Sequence, residues 1–385
     1  MYAASIMILL ASKMGHGWGF VDLAVYRYGA QGVLDGTHLY ALRFPGALAF
    51  TYPPIAALLF LPLTLVRMAV LGPVVTAGSI VLLPVALGCA LRLPPIRDWL
   101  SRDRAIRVAL LASAAAIWLE PVWTTLRYGQ IDVLVVALVL YDLSRPDGAR
   151  WKGVGIGLAT GLKLTPGIFT VYLLLTRRYR AAVVSLGVFA ATVAVGFLAL
   201  PGDSREYWSG AFGDPSRVGR IENAANQSLR GAYARLLHTL DVQPWWLCTA
   251  TLVGVLGIAL AVRAGRRGDE ASGFSLCALG ALLVSPISWS HHWVLAVPAL
   301  LLFALGAWRL RSRARLTAAA IAAAVGWSHV IWWVPVNHPP HSELHLDAAQ
   351  LVVADAYVLL GLAALALTAL EIRAERRLRR LTLAR

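Results

Sequence analysis

Long apolar segments alternate with short polar ones along the chain, and their lengths predict helices that cross a membrane. Spanning the hydrocarbon core of a bilayer takes about 20 apolar residues in a helix. Segments 181–200, 245–262 and 351–370 reach or approach that length. A spanning β-barrel needs short strands in which polar and apolar residues alternate, and these segments do not alternate. The pattern therefore predicts an all-α, polytopic bundle of membrane helices.

Clusters of Lys and Arg separate the apolar segments and predict which connections face the cytoplasm, because cytoplasmic loops carry an excess of positive charge. The apolar segments between the clusters then pair as outgoing and returning spans. The sequence predicts about twelve spans with both chain ends in the cytoplasm, a single domain over 1–385, and outer loops at 19–52 and 201–244. The six clusters are Arg92–Arg107, Arg145–Lys152, Arg177–Arg180, Arg263–Arg267, Arg309–Arg315 and Arg373–Arg385.

Three apolar segments are too short to fit the regular pattern. In the topology above, segment 53–66 has no crossing to make, so we predict that it is interfacial or re-entrant on the outer face. Segments 152–163 and 164–176 cannot span upright at 1.5 Å per residue. We therefore predict that the break at Lys163–Pro166 lies at membrane depth, where non-helical backbone is tolerated only if protein buries it or it lines a cavity.

The chain begins with a short apolar segment, Met1–Leu10, which superficially resembles a signal peptide. The segment lacks a basic start and an Ala-x-Ala cleavage site, both of which are typical of signal peptides. We therefore predict a first membrane helix here, although it is short and carries Lys13.

Composition and charge agree with a membrane protein. Hydrophobic residues make up 58% of the chain and charged residues 14%, against about 25% charged in a soluble protein. The net charge of +15 would suit nucleic acid, but most basic residues lie in short loops between apolar segments. The predicted partner is therefore the lipid bilayer and not nucleic acid. Three cysteines, Cys89, Cys248 and Cys277, show no CxxC spacing and are interpreted as ordinary helix residues.

Polar residues at the outer ends of predicted spans are candidate site residues, because ionisable groups near membrane depth are costly and commonly functional. Asp22 is either a helix N-cap or ion-pair partner of Arg27, or a general base in a cleft. Glu120 and the Tyr128–Gln130 segment meet at one outer connection. They form either a solvated helix end or a binding cluster. Lys163 either extends to an interface or binds a phosphate.

Two further polar motifs lie in predicted outer connections. Asn226–Arg230 offers amide, hydroxyl and guanidinium groups, which suit sugar hydroxyls or a phosphate if the segment is not an ordinary polar loop. Ser285–Trp293 contains two adjacent histidines between tryptophans, which packing alone does not explain. Zinc is an alternative there, but neighbouring histidines rarely share one metal, and no Glu or His stands at helical spacing. For His338, His341 and His345 in the last outer loop, adventitious metal binding is only a minor alternative.

Several signatures of other enzyme classes are absent from the sequence. There is no G-x-S-x-G elbow, no Walker loop and no glycine pattern of a dinucleotide-binding fold. These absences argue against a nucleotide-driven reaction in the cytoplasm. The energy for chemistry outside the membrane must therefore arrive on the substrate.

Taken in order, the polar motifs resemble those of the polyprenyl-phosphate-mannose-dependent α-1,2-mannosyltransferases of actinobacteria, which elongate phosphatidylinositol mannosides and have the GT-C membrane fold. The likeness covers most of the chain, from Asp22 to about Pro298, and its specificity lies in the order and spacing of the motifs together. The matching segments are Val21–Tyr26, Phe50–Pro54, Glu120-Pro121 with Tyr128–Gln130, Gly161–Pro166, Asn226–Gly231 and Ser285–Trp293.

The resemblance implies an inverting transfer of mannose from polyprenyl-phosphate mannose to a mannosyl-phosphatidylinositol lipid, outside the plasma membrane. It places the catalytic acidic residue at Asp22 and the catalytic histidine at His292, with His291 as the alternative. Some GT-C relatives hold a metal with two acidic residues, whereas this chain has only Asp22 at that point, so no cofactor is implied and a divalent metal stays open. The substrate-binding candidates are Tyr26, Arg27, Tyr52, Glu120, Tyr128, Gln130, Lys163, Asn226, Gln227, Arg230, Ser285, Trp289 and His291.

Two other functions compete with this one. The same fold could act on lipomannan or lipoarabinomannan branches, or transfer another sugar from a polyprenyl phosphate, because pocket shape sets the choice of sugar. A lipid or glycan transporter would be expected to show an internal inverted repeat and charges near the bilayer midplane. The sequence shows no such repeat, and its polar residues gather on one side, which favours an enzyme.

Overall fold

A computed structural model describes residues 1–15, 18–44, 48–214 and 217–383, those of 10–15 and 373–383 without their side chains. This part of the chain is mostly helical, with one two-stranded antiparallel sheet in which β1 (Arg43–Phe44) pairs with β2 (Leu48–Ala49). The first nine α-helices are α1 Tyr2–Gly15, α2 Val21–Leu34, α3 Pro54–Leu59, α4 Met68–Ala90, α5 Arg102–Ala116, α6 Glu120–Tyr128, α7 Asp132–Leu143, α8 Val154–Leu162 and α9 Gly167–Leu175.

The second half of the chain continues in the same way. Its α-helices are α10 Tyr179–Ala199, α11 Pro201–Ser209, α12 Leu229–Leu236, α13 Gln243–Arg266, α14 Glu270–Val284, α15 Ala296–Arg309, α16 Arg313–Trp327, α17 Ala348–Ala354 and α18 Ala356–Leu383. Short 3-10 helices cover Leu61–Leu65, Ile96–Asp98, Ala211–Gly213, Ser290–Leu295, Val330–Trp332 and Ser342–His345.

Four of the described helices are long and apolar enough to cross a membrane: α4, α10, α13 and the continuous stretch Ser290–Arg309 that ends in α15. Two further pairs qualify when each is taken as one bent span, α5 with α6 (bent by 76°) and α17 with α18 (bent by 73°). The predicted all-α, multi-pass membrane architecture is confirmed. The predicted number of twelve spans stays a prediction, since four to six are supported by length and composition.

The short segments fold largely as their lengths suggest. Segment 53–66 forms α3 and a 3-10 turn, too short together to span, with Leu65 almost fully exposed. Between α8 and α9 the chain breaks at Lys163–Pro166, where Lys163 has an extended backbone. Pro166 cannot donate a backbone hydrogen bond into α8, which is why the helix does not continue. The first segment forms α1, and the side chain of Lys13 lies outside the described residues.

Helices α8 and α10 pack against each other at a distance that only small residues permit. A Cβ atom on Gly157 would lie 2.5 Å from the carbonyl oxygen of Ser185, and one on Gly161 would lie 2.5 Å from Oγ1 of Thr192. Close approach through small residues is a common way for membrane helices to associate. This packing fixes the end of α8, and therefore the break that carries Lys163.

A buried arginine anchors the second outer loop to the C-terminal helices. Arg235 on α12 is fully buried, and its guanidinium donates to the backbone carbonyls of Glu222, Asn223 (2.8 Å) and Asn226 (3.0 Å). It also forms an ion pair with Asp355, between α17 and α18, with 3.1 Å between Nε and Oδ1. The loop that carries Asn226 is therefore held rigidly.

We expect Arg235→Leu to lower the free energy of unfolding by about 3 kcal/mol, because removing one partner leaves the other charge buried and unpaired. Thermal unfolding of the detergent-solubilised protein measures the loss. Arg205→Leu, at an exposed position on α11, is the matched control and should leave the midpoint unchanged. Equal midpoints for the two variants would contradict this role for Arg235.

Candidate active site

Polar side chains from five segments converge where several helices begin or end. Asp22 lies in the first turn of α2, and Tyr52 comes just before α3. Gln130 lies in the connection between α6 and α7, and Lys163 lies in the break between α8 and α9. The 3-10 helix Ser290–Leu295 brings the two histidines. Helix ends place polar groups together here because each chain segment turns at this level of the bundle.

Gln130 is the centre of the hydrogen-bond network. Its side chain is 2% exposed, and its Oε1 accepts from the hydroxyls of Tyr26 and Tyr52, the latter at 3.3 Å. Its Nε2 lies 3.2 Å from Nε2 of His291, and its side chain also hydrogen-bonds the Asp22 carboxyl. One amide thus connects a carboxylate, two phenols and an imidazole.

A tight helix end brings Gln130 and Asp22 together. Helix α6 ends at Gly129, whose φ of 69° lies in the left-handed region that favours glycine. A Cβ atom at Gly129 would lie 2.7 Å from Cβ of Leu23, the neighbour of Asp22. The end of α6 and the start of α2 can therefore touch only because residue 129 is a glycine.

Asp22 has the properties of a general base that is active near neutral pH. Its side chain is half-buried, on a helix outside the four to six spans. Burial raises the pKa of the Asp22 carboxyl to about 6. The hydrogen bond from Gln130 and the positive charge of Lys163 lower this pKa, and the negative charge of Asp132 raises it, each by less than burial does. An ideal catalytic base has a pKa close to the working pH.

Lys163 provides positive charge beside this carboxylate. Its ammonium lies 2.6 Å from Oδ1 of Asp132 and 5.9 Å from the centre of the Tyr52 ring. The other carboxylate oxygen of Asp132 is buried and has no hydrogen-bond partner among the described residues. Asp132 was not among the predicted site residues, and its position two residues after Gln130 is the sequence signal that could have identified it.

The two histidines stand on the other side of Gln130. His291 is buried, His292 is half-buried, and their rings are 4.7 Å apart. Tyr128 packs edge-on against His291, with ring centroids 5.8 Å apart. This arrangement leaves His292 as the more accessible of the two imidazoles.

One group of residues here has the composition of a metal site. The ligand atoms of Asp132, His291 and His292 all lie within 4.8 Å of one another. Three such ligands suffice for a catalytic zinc site with an open position. However, the Lys163 ammonium already binds one oxygen of Asp132 and repels a cation. The atoms left for a cation are the second oxygen of Asp132 and the imidazole nitrogens, beside a fixed positive charge that weakens cation binding.

Glu120 is a positioning residue rather than a surface group. It is fully buried, and its Oε1 accepts from Thr124 (2.7 Å), Ser290 (2.7 Å) and the indole of Trp332 (3.0 Å). Its Oε2 accepts from the hydroxyl of Tyr357 at 3.0 Å. Four protein donors occupy the carboxylate, and one of them immediately precedes the histidine pair.

Asn226 and Gln227 hold the same histidine segment from the other side. Both are fully buried. Oδ1 of Asn226 accepts from the backbone N–H of Ser288 at 2.9 Å, and the backbone N–H of Gln227 donates to the carbonyl of Ser288 at 2.8 Å. Asn226 also forms an isolated β-bridge with Trp289. Their contacts are with protein, so they shape the site from outside.

Three other candidates lie apart from the Gln130 network. Arg27 donates to the carbonyls of Thr64 (3.2 Å) and Val66 (3.3 Å), and Ser285 donates to the carbonyl of Ile287 (2.7 Å). The guanidinium of Arg230 lies 5.3 Å above the Trp246 ring, and its buried Nε and Nη1 have no partner among the described residues. The candidates brought together are Asp22, Tyr26, Tyr52, Tyr128, Gln130, Lys163, His291 and His292.

Comparison with known proteins gives this site a context. The profile of "Glycosyltransferase family 87" matches residues 50–286. A polyprenol-phosphate-mannose-dependent alpha-(1-2)-phosphatidylinositol pentamannoside mannosyltransferase of Mycobacterium tuberculosis (strain CDC 1551 / Oshkosh) is 39% identical over 328 residues, which are 82% of this chain and 72% of that protein. A polyprenol-phosphate-mannose-dependent alpha-(1-2)-phosphatidylinositol mannoside mannosyltransferase of the same species (strain ATCC 25618 / H37Rv) is 35% identical over 86% of this chain and 79% of its own.

A solved structure is also similar, that of ArnT from Cupriavidus metallidurans bound to undecaprenyl phosphate. Its TM-score is 0.44 at 19% identity, over 96% of this chain and 72% of that one.

The apolar helices, the polar site and the sequence matches together define a membrane glycosyltransferase. The chain belongs to glycosyltransferase family 87, since the family profile covers more than half of it and relatives match most of its length. The resemblance predicted from the six motifs is thereby confirmed.

Proposed function

We propose that this protein transfers mannose from polyprenyl-phosphate mannose to a mannosylated phosphatidylinositol lipid and forms an α-1,2 linkage. The observation that carries the proposal is the half-buried Asp22 carboxyl, joined through Gln130 to His291 and facing the charge of Lys163. A base and a cation on either side of a small polar site are what displacement of a phosphate requires. The names of the family's relatives supply the donor and the acceptor.

The reaction would be a single displacement. An acceptor hydroxyl oxygen attacks C1 of mannose, its proton passes to the Asp22 carboxylate, and the bond between C1 and the phosphate oxygen breaks. One displacement inverts the β-linked donor to an α-linked product. Polyprenyl phosphate leaves as an anion, which the Lys163 ammonium stabilises with the His292 imidazole as a hydrogen-bond donor.

The environment of the reaction follows from topology. Under the positive-inside rule, Asp22 and the histidine segment face the outer side of the plasma membrane, within a GT-C architecture. The aromatic ring of Tyr52 is partly exposed and offers a surface for a sugar face, and the fully buried ring of Tyr26 packs edge-on against it, 5.0 Å away. The partly exposed segment 53–66 lies where a polyprenyl chain in the bilayer would approach.

The test is transfer by the purified protein, from synthetic polyprenyl-phosphate mannose to phosphatidylinositol tetramannoside, with and without EDTA. We expect a product with one added α-1,2-linked mannose, formed at the same rate in EDTA because Lys163 supplies the positive charge. Transfer only to lipomannan fragments would mean that the acceptor is not the proposed phosphatidylinositol mannoside. Transfer only from another polyprenyl-phosphate sugar would mean that the donor is not the proposed mannose donor. No transfer from any donor by folded protein would contradict the proposal, and loss in EDTA restored by one divalent ion would contradict the metal-free reaction.

A further inference from the structure

A polar cavity lies at the other end of the bundle from the active site. Its volume is about 760 Å³, and four of the nine residues that line it are arginines. Helices α8 and α9 both run between the two places: their inner ends meet at Lys163–Pro166, and their other ends lie at Gly153 and Thr176. The arginines that line the cavity are Arg177, Arg178, Arg180 and Arg266.

Most of this positive charge has no carboxylate opposite it. Arg178 is neutralised, since it pairs with Glu270 and lies 3.3 Å from Asp147. Arg180 donates only to the carbonyl of Gly148, and Arg266 only to that of Leu175. In the part of the chain that the structure describes, Arg177, Arg180 and Arg266 have no acidic partner. An arginine has five N–H donors, so several remain for a ligand.

The start of a helix adds further donors to the same cavity. Helix α10 begins at Tyr179, and residues Tyr179, Arg180 and Ala181 line the cavity. Backbone N–H groups in the first turn of a helix have no partner within the helix, and no side chain caps them here. Such groups favour an anion such as phosphate.

The surroundings of the cavity are apolar and exposed. Tyr179 is 58% exposed and Val183, one turn along α10, is 66% exposed, while Leu174 and Leu175 at the end of α9 are also exposed. Helix α10 is long and apolar enough to span a membrane, so its exposed Tyr179 and Val183 side chains face lipid. The guanidinium groups therefore lie at the border between the lipid and the side that the basic clusters assign to the cytoplasm.

The geometry points to a binding site for the phosphate headgroup of an anionic phospholipid, with Arg177, Arg180 and Arg266 on the phosphate oxygens and the acyl chains along α10. Basic pockets between membrane helices on the cytoplasmic side are suited to such headgroups. Guanidinium groups bind phosphate through paired N–H donors, which gives the site geometric selectivity. This site is separate from the proposed transfer reaction and does not depend on it.

The test measures lipid binding to the purified full chain by native mass spectrometry in a neutral detergent, with cardiolipin and phosphatidylinositol against phosphatidylcholine. The double variant Arg177→Gln/Arg180→Gln should weaken anionic-lipid binding by about thirtyfold, because each basic residue near an anionic surface contributes roughly a factor of five. The control Arg311→Gln/Arg313→Gln removes the same charge from exposed positions near the end of α15 and should bind like wild type. Thermal unfolding shows that both variants are folded.

Three outcomes decide the proposal. Selective loss of anionic lipid in the cavity variant alone supports it. Equal loss in both double variants would mean general attraction to a basic surface and would overturn it. If millimolar glycerol phosphate displaced the lipid and bound with the same affinity as the lipid, these arginines would still form a phosphate site. The ligand would then be a soluble anion, and the proposal of a lipid site would be overturned.

Discussion

We expect Asp22→Asn to lower the rate of mannose transfer by about a thousandfold, within the range that a general base contributes. Asparagine has nearly the same size as aspartate and can still hydrogen-bond Gln130, so the network around it survives. What it loses is a basic oxygen that can take the proton of the acceptor hydroxyl. The measurement is kcat for transfer at saturating donor and acceptor, with thermal unfolding to establish that the variant is folded.

The matched control is Asp35→Asn, just beyond the other end of α2. Asp35 is exposed, and its carboxylate accepts from one side chain among the described residues, that of Gln31 at 2.9 Å, so transfer should be unchanged. An Asp22→Asn variant that keeps a tenth of wild-type activity would rule out Asp22 as the base.

The same residue predicts a pH dependence. A base must be deprotonated, and burial raises the pKa of Asp22 to about 6. The kcat/KM for transfer, which reports groups of the free enzyme, should therefore be maximal well above pH 6 and fall about tenfold for each pH unit below it. In Asp22→Asn the residual activity should no longer show this acid limb, which separates loss of the base from a structural effect.

Lys163→Gln is the second large effect that we expect, a loss of about a hundredfold or more in kcat, as when one group that stabilises developing negative charge is removed. The leaving phosphate loses its nearest cation. The substitution also leaves the Asp132 carboxylate buried without its ion-pair partner, 2.6 Å away in the native protein. Lys163→Gln combined with Asp132→Asn removes that buried charge and should restore stability but not activity.

Lys152→Gln is the matched control, because Lys152 is also buried and ion-paired, 2.8 Å from Asp147, but at the opposite end of α8. It should lower the unfolding midpoint and leave kcat of the folded protein unchanged. If Lys152→Gln and Lys163→Gln lost the same activity, or if the double variant with Asp132→Asn regained transfer, Lys163 would be a structural residue only.

The parts of the site that the sequence predicted are those that depend on local signals. The extended backbone at Lys163 follows from a proline three residues later, and the short segment 53–66 was too short to span. Asp22 and Gln130 were singled out because polar groups beside apolar spans are costly. The number of spans was harder to predict, because hydropathy gives the length of an apolar segment and not the direction of its helix. Helices α5 and α6, for example, qualify together as one span but are bent by 76°.

The roles of Glu120 and Asn226 could not be predicted, because their partners are distant in sequence. Glu120 accepts from Ser290, Trp332 and Tyr357, which follow it by 170, 212 and 237 residues. Asn226 accepts from Ser288, 62 residues later. A polar residue at a helix end has the same sequence pattern whether it meets substrate or protein, and only tertiary packing distinguishes the two.

Helix α2 carries Asp22 in its first turn and Arg27 little more than one turn further on. Arg27 holds the carbonyls of Thr64 and Val66, in the segment that lies where the polyprenyl chain would approach. A helix of this length moves as a stiff rod, so a shift of that segment tilts the carboxylate as well. A lipid tail that displaces that segment would then also move the base.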